Sequence, residues 1–397
     1  MSQTSAEQMR AWKGPAPFSF GFRPFFLFAA VWAVVSMLLW LAALGGAVDL
    51  PTRFDSISWH AHEFLFGYLG AVLAGFLLTA VPNWTGRLPI VGLRLAGLFA
   101  LWVIGRFAIL FSATLPIWLA PIVDLSLSVV LGVVILREIV AGKNWRNLIV
   151  LALLAVFTLA NAIFHYEALS GGYAAQGVGL RLGVATAIIM IAVIGGRIVP
   201  SFTRNWLVRQ HNPARPAPPM QRFDKAVLLL SLIGLGLWTL RPFDLLTAIA
   251  LVALGVLHFV RLIRWQGHQT FGEPLVWVLH ASYLLIPLGA LAIGVDRILG
   301  SPNTAGAQHL WMAGAIGTMT LSVMTRATLG HTGQELRANR MTVLVYLCIF
   351  GSVFTRLLTS VWPEMIHISG CLWLVAFAGF VWAYGPALMR PKTVDGA

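Results

Sequence analysis

Trp59-His60-Ala61-His62-Glu63 leads straight into an apolar run through Gly75-Phe76-Leu77-Leu78-Thr79-Ala80-Val81 and on to Pro82. About 20 apolar residues are enough to span a bilayer as a helix. This run opens on two imidazoles and a carboxylate, groups that are costly in a membrane and usually functional there. The whole chain shares its character: of 397 residues, 58% are hydrophobic and 10% charged, with a mean hydropathy of +0.82. A soluble domain carries about 25% charged residues, so the chain reads as an all-α integral membrane protein. Its partner is the lipid bilayer.

Outward from that segment, apolar stretches bounded by charge, Pro or Gly predict about twelve transmembrane helices. They are centred near Val34, Gly70, Ala100, Ser126, Phe157, Ile188, Ile233, Val252, Leu284, Ala315, Cys348 and Ala376. The connectors alternate in basic content. About twenty-one of the 27 Lys and Arg fall on one side, and only Arg53, Arg106, Arg181, Arg241, Arg297 and Arg356 on the other. The positive-inside bias then predicts both termini in the cytoplasm. The formal net charge of +13 is spread over short connectors and presents no basic face, so no nucleic-acid partner is expected. Residues 1–20 are polar, contain Pro15 and Pro17, and are not read as a cleavable signal peptide.

The chain is read as one polytopic domain over 1–397. Residues 201–224, with Pro213, Pro216, Pro218 and Pro219, form a cytoplasmic linker between two six-helix halves. The two cysteines, Cys348 and Cys371, fall at different depths and are not expected to pair. A weaker pattern recurs at about one third of the chain: Ala80-Val81-Pro82-Asn83-Trp84-Thr85, Ile198-Val199-Pro200-Ser201-Phe202-Thr203, and Thr325-Arg326-Ala327-Thr328 end the second, sixth and tenth helices. Arg106, Arg241 and Arg356 recur in the helices that follow. Both series match three four-helix pseudo-repeats, the plan of heme–copper oxidases. Short matches of this kind also arise by chance in apolar sequence.

Topology places His60, His62, His165, His309 and His367 at the outer ends of their helices. Neutral imidazole suits copper, iron and zinc, and the thioether of Met312, one turn past His309, favours copper(I). His60, His62, His165 and His309 are the candidate metal ligands; the alternative for each is an interfacial histidine that reaches water. Glu63 is the candidate proton carrier, although a carboxylate in a first helical turn is also at home there. On the inner side His258 and His280 share a depth and could ligate a heme between helices, or simply bond to each other across helices. Arg23, Arg106, Arg197, Arg326 and Arg356 offer partners for heme propionates or anchor the helix ends at the interface. No Cys-x-x-Cys-His is present, so a heme would be non-covalent.

Five ordered motifs carry a resemblance. They are Gly21-Phe22-Arg23-Pro24-Phe25-Phe26, Trp59-His60-Ala61-His62-Glu63, the stretch Gly75 to Gly86, Gly195-Gly196-Arg197-Ile198-Val199-Pro200, and Met324-Thr325-Arg326-Ala327-Thr328-Leu329-Gly330-His331-Thr332-Gly333. In these the chain resembles the NnrS family. The resemblance implies a multi-pass protein of the bacterial inner membrane that carries heme b and copper, linked to denitrification and nitrosative stress. His60, His62, Glu63, His165, His280, His309 and His331 fall at matching positions, and His331, His280, Arg23 and Arg326 become the candidate heme-binding residues.

The function expected is that of an oxidoreductase coupling two nitric oxide molecules to N2O, with electrons from quinol or a redox protein. A heme–copper protein that binds or senses nitric oxide, or handles metal, without turnover is the alternative. A secondary transporter fits less well, because the intramembrane carboxylates, among them Glu63, Asp124 and Glu167, lie near helix ends and not at a midplane site.

Overall fold

The computed structural model describes residues 12–300 and 304–391, and among these all regular structure is helical. Eleven helices are long and apolar enough to cross a membrane. In chain order they are α1 (Phe22–Leu44), α2 (Ser56–Thr85), α3 (Leu93–Leu110), α4 (Leu119–Ala141), α5 (Trp145–Leu169), α6 (Val178–Arg209), α7 (Arg222–Leu240), α8 (Leu245–Ile263), α9 (Pro274–Leu299), α11 (Arg340–Ser360) and α12 (Met365–Met389). Between α9 and α11 lies a further long helix, α10 (304–332), in which Thr and Ser recur among the apolar residues. The count of about twelve helices therefore holds.

These helices turn large apolar side chains outward. Val133, Phe107, Leu347 and Trp382 are all more than half exposed. An apolar surface of this extent would be unfavourable in water and is at home against lipid tails. The chain is a multi-pass membrane protein.

Two compact units are formed. The first comprises residues up to Gly183, with Ala327–Glu335 and the chain from Phe377 onward; the second comprises Val184–Arg326 and Leu336–Ala376. In the first unit α2 packs on α1 and α4, and α4 packs on α3 and α5. The most apolar stretch of α2 is 72% buried and that of α4 only 28%, so α2 is an inner helix. In the second unit α8 and α9 form the closest pair, flanked by α7 and α10. The Pro-rich stretch after Arg209 is irregular and ties to the second unit through Ala217 N donating to Arg264 O at 2.9 Å. Cys348 is buried and Cys371 exposed, and both thiols are free.

Local chemistry fixes where α2 begins and ends. Asp55 Oδ1 accepts from the backbone N–H groups of Ile57 and Ser58 at 3.0 and 2.9 Å. An N-cap carboxylate satisfies donors that the first turn leaves free. Gly86 closes the other end at φ 70° and donates to Pro82 O at 2.9 Å, a left-handed position that glycine adopts without steric cost. Within α2 the segment Glu63–Tyr68 is π-helical, as are Ile191–Gly195 in α6 and Leu310–Thr318 in α10. Such widened turns are rare and concentrate at functional sites. Among the described residues they occur only in α2, α6 and α10.

Candidate metal centre

The widened turn of α2 begins directly after His62, and this places one imidazole and one carboxylate in the interior of the first unit. His62 and Glu63 are both fully buried. Nε2 of His62 lies 3.2 Å from Asp124 Oδ2 on α4. Nε2 of His165, on the last turns of α5, lies 3.1 Å from the same oxygen. One donor atom from each of His62, Asp124 and His165 falls within 4.8 Å of the others, the one such group among the described residues. Ligands at about 2.0–2.2 Å from a common ion sit about 3.0–3.5 Å from one another in octahedral or tetrahedral arrangements. The separations of His62 and His165 from Asp124 Oδ2 fall inside that window.

A second layer fixes these donors. His62 Nδ1 lies 3.0 Å from Glu63 Oε1, and a carboxylate on the far nitrogen is how ligating histidines are commonly oriented. Arg106 Nη1 donates to both oxygens of Glu63 at 2.7 Å, and Nη2 pairs with Asp124 Oδ1. Trp32 Nε1 donates to Glu63 Oε2 at 2.6 Å. Asn161 Nδ2 donates to Asp124 Oδ2 at 2.7 Å, and its Oδ1 lies 3.1 Å from His62 Nε2. Two carboxylates face a single guanidinium, so one negative charge is left for a further positive charge to match. Buried charge requires such a match, and a cation held by the imidazoles and Asp124 supplies it, as does a proton on an imidazole.

Packing is tight on the Gly67 side of the group. A Cβ on Gly67 would lie 2.5 Å from Arg106 Nη1 and 2.7 Å from Glu63 Oε2. Gly67 O, in the widened turn, accepts from Trp102 Nε1 at 2.9 Å. The rings of Phe54, Phe66 and Phe164 lie 5.3–5.5 Å from the His62 ring. They form an apolar collar in which electrostatic interactions are stronger than in water.

The predicted site residues divide. His62, His165 and Glu63 converge. His60, two residues from His62 and so on another face of the helix, stacks on Trp40 at 4.0 Å and lies 4.6 Å from Phe64. His309 belongs to the second unit, where its Nδ1 donates to Ala305 O at 2.7 Å. His367 is exposed. Asp124 and Arg106 were legible only as a carboxylate near a helix end and a possible propionate partner. The stronger signal was Asp124 standing alone in the apolar run Ile122-Val123-Asp124-Leu125 at the same membrane level as His165.

The inner-side histidines lie in the second unit. His258 is engaged at both nitrogens, with Ser231 Oγ and Tyr283 OH each at 2.8 Å. Tyr283 OH also accepts from Arg261, which pairs with Asp224 and donates to Ala192 O in the widened turn of α6. His280 Nε2 lies 2.7 Å from Thr203 Oγ1, and its Nδ1 is buried without a hydrogen-bond partner. Arg326 stacks on Phe202 at 4.2 Å, and its Nη1 is likewise buried and unpartnered. In the first unit, His331 lies against Phe20 and Phe22 at 5.7 and 5.3 Å. Arg23 Nη1 donates to the carbonyls of Ala387, Leu388 and Arg390 near the end of α12.

Fold and site together define a polytopic helical membrane protein with a buried two-histidine, one-carboxylate centre of metal-binding geometry. The chain belongs to the NnrS family, whose profile, described as NnrS protein, matches residues 16–392. No curated protein matches it.

Proposed function

We propose that this chain is a heme- and copper-containing protein of the bacterial inner membrane, with both termini in the cytoplasm, that reduces nitric oxide to N2O. The observation that carries this reading is the His62–Asp124–His165 group with its ordered second layer of Glu63, Arg106 and Asn161. Two imidazoles and one carboxylate fit a redox-active first-row ion, copper or iron, better than they fit magnesium or calcium. His62, His165 and Asp124 would hold that ion, which supplies an electron-transfer and nitric oxide-binding centre in a dry interior.

The heme is assigned to the second unit on two orphaned atoms. His280 Nδ1 and Arg326 Nη1 are buried polar groups with no hydrogen-bond partner, and such groups are costly unless a ligand satisfies them. An imidazole for iron and a guanidinium for a propionate are what a non-covalent heme b needs. His331 with Arg23, on either side of Phe22, offers a second place in the first unit. Both Nε2 and Nδ1 of His258 are engaged, so it is left out.

In this reading two nitric oxide molecules take up two electrons and two protons to give N2O and water. Quinol or a redox protein donates the electrons. Glu63 holds the His62 ring and is a carboxylate one residue away from which a proton can pass toward the donor group. The widened turns in α2, α6 and α10 fall in the helices whose ends recur in the sequence, which supports the plan of three four-helix repeats.

The test is anaerobic nitric oxide consumption by the purified, reduced protein, with N2O measured alongside. Stoichiometric N2O supports the assignment. Metal-dependent nitric oxide spectra without gas turnover move the protein to the binding or sensing class.

A further inference from the structure

Beside the donor group lies a cavity between α2, α3, α4 and α5. Arg106, Asp124 and Asn161 form its polar end, and Leu73, Leu127, Leu131, Leu154 and Phe157 form its walls. From Asp124 to Leu131 it follows α4 for about 10 Å at 1.5 Å per residue, toward the middle of that helix. Two wall residues carry hydroxyls, and both are spent on their own helices: Ser128 Oγ donates to Leu125 O at 3.0 Å and Thr158 Oγ1 to Leu154 O at 2.9 Å. Away from the polar end the walls are mainly apolar and offer water few partners, which favours an apolar guest there. The free space holds on the order of two water-sized molecules, too few for a quinol ring. At the polar end Arg106 is 4% exposed, and its Nε is buried with no hydrogen-bond partner.

We propose that this cavity is a holding site for a small uncharged gas molecule next to the His62–Asp124–His165 group, kept open by Gly70. A Cβ added at Gly70, which lines the cavity, would meet no heavy atom within 4 Å. A side chain at this position would thus enter open space and fill it. The apolar walls accept a diatomic molecule, and the unpaired Nε–H of Arg106 gives its one weak acceptor a partner. Nitric oxide is the gas on the reading given under Proposed function; the cavity itself does not depend on that reading. A gas entering from the lipid would then wait inside the protein, at the donor group.

The test uses the full-length protein and xenon as the probe. Crystals pressurised with xenon should show an anomalous peak between Gly70, Leu131 and Phe157. Gly70→Leu replaces glycine by a stronger helix former; it should fold with unchanged metal content and lose the peak. Nitric oxide association with the reduced variant should slow by roughly tenfold. No xenon in the wild-type cavity overturns the proposal, as does Gly70→Leu retaining both xenon and the wild-type association rate. If xenon binds and the variant excludes it, but neither protein reacts with nitric oxide, the cavity stands and the nitric oxide function falls.

Discussion

Asp124 meets His165 with Oδ2 at 3.1 Å from Nε2, while Oδ1 of the same carboxylate is held by Arg106. The two oxygens thus do different work. One anchors the side chain, and the other is presented to His62 and His165 as a donor atom. This division explains why a charged residue tolerates the interior of a membrane helix: Arg106 matches its charge, and both of its oxygens have polar partners.

Removing the donor charge while keeping the shape should therefore empty the site. Asp124→Asn, His62→Ala and His165→Ala are each expected to lower bound metal at least tenfold, the lower end of what losing even an outer-layer partner costs. His60→Ala should keep its metal, because His60 packs on Trp40. Elemental analysis of the four purified variants decides the matter, and metal loss confined to His60→Ala would refute the assignment.

Arg106 is the permanently charged partner that Glu63 and Asp124 share. Arg106→Leu leaves two buried carboxylates without it, and breaking a buried ion pair on one side costs about 3–5 kcal/mol. Arg106→Lys should recover only part of that loss, since a single ammonium lacks the fork that reaches both acids. Thermal unfolding in detergent reads the difference. A leucine variant that melts together with the wild type would show that the acids are not charged in the folded protein.

Much of this fold was legible because lipid imposes one requirement on every residue of a span. Apolar runs of the needed length read as helices without tertiary information, and α1 through α12 sit where those runs lie. α10 was the least apolar of these and still forms a helix, with its Thr hydroxyls at 318, 320 and 332 returned to backbone carbonyls. The site was legible only in part. Depth along a helix follows from sequence, and depth brought His62 and His165 together. Rotation about the helix does not follow when a widened turn shifts the register, as at Glu63–Tyr68. Asp124 and Arg106 could be placed at the right level, but their pairing depends on how α3 and α4 turn toward α2.

Two glycines in the same helix separate packing from flexibility. Gly67→Ala drives a methyl group against Arg106 and Glu63, whereas Gly70→Ala meets nothing. The first should lose stability and metal together, by about 1–3 kcal/mol as for overpacking elsewhere. The second should match or slightly exceed the wild-type melting temperature, since alanine is the better helix former. Equal melting of the two variants would mean that the close approach of Arg106 to Gly67 is not a constraint.

The second unit provides the final comparison, between His280 and His258. His280 has one ring nitrogen on Thr203 and the other buried without a partner; His258 has both engaged, with Ser231 and Tyr283. A heme ligand needs a nitrogen that nothing else holds. His280→Ala should therefore remove or alter the heme bands of the reduced-minus-oxidised spectrum, and Arg326→Ala should weaken heme retention without changing the ligation pattern. His258→Ala should leave the bands in place while lowering the melting temperature, because Ser231 and Tyr283 each lose one hydrogen bond and keep another, to Val227 O and Arg261, at about 0.5–1.5 kcal/mol for each bond lost. Should His258→Ala bleach the spectrum and His280→Ala spare it, the hydrogen bonds around His258 do not describe the heme-loaded protein, and the ligand assignment passes to the other histidine.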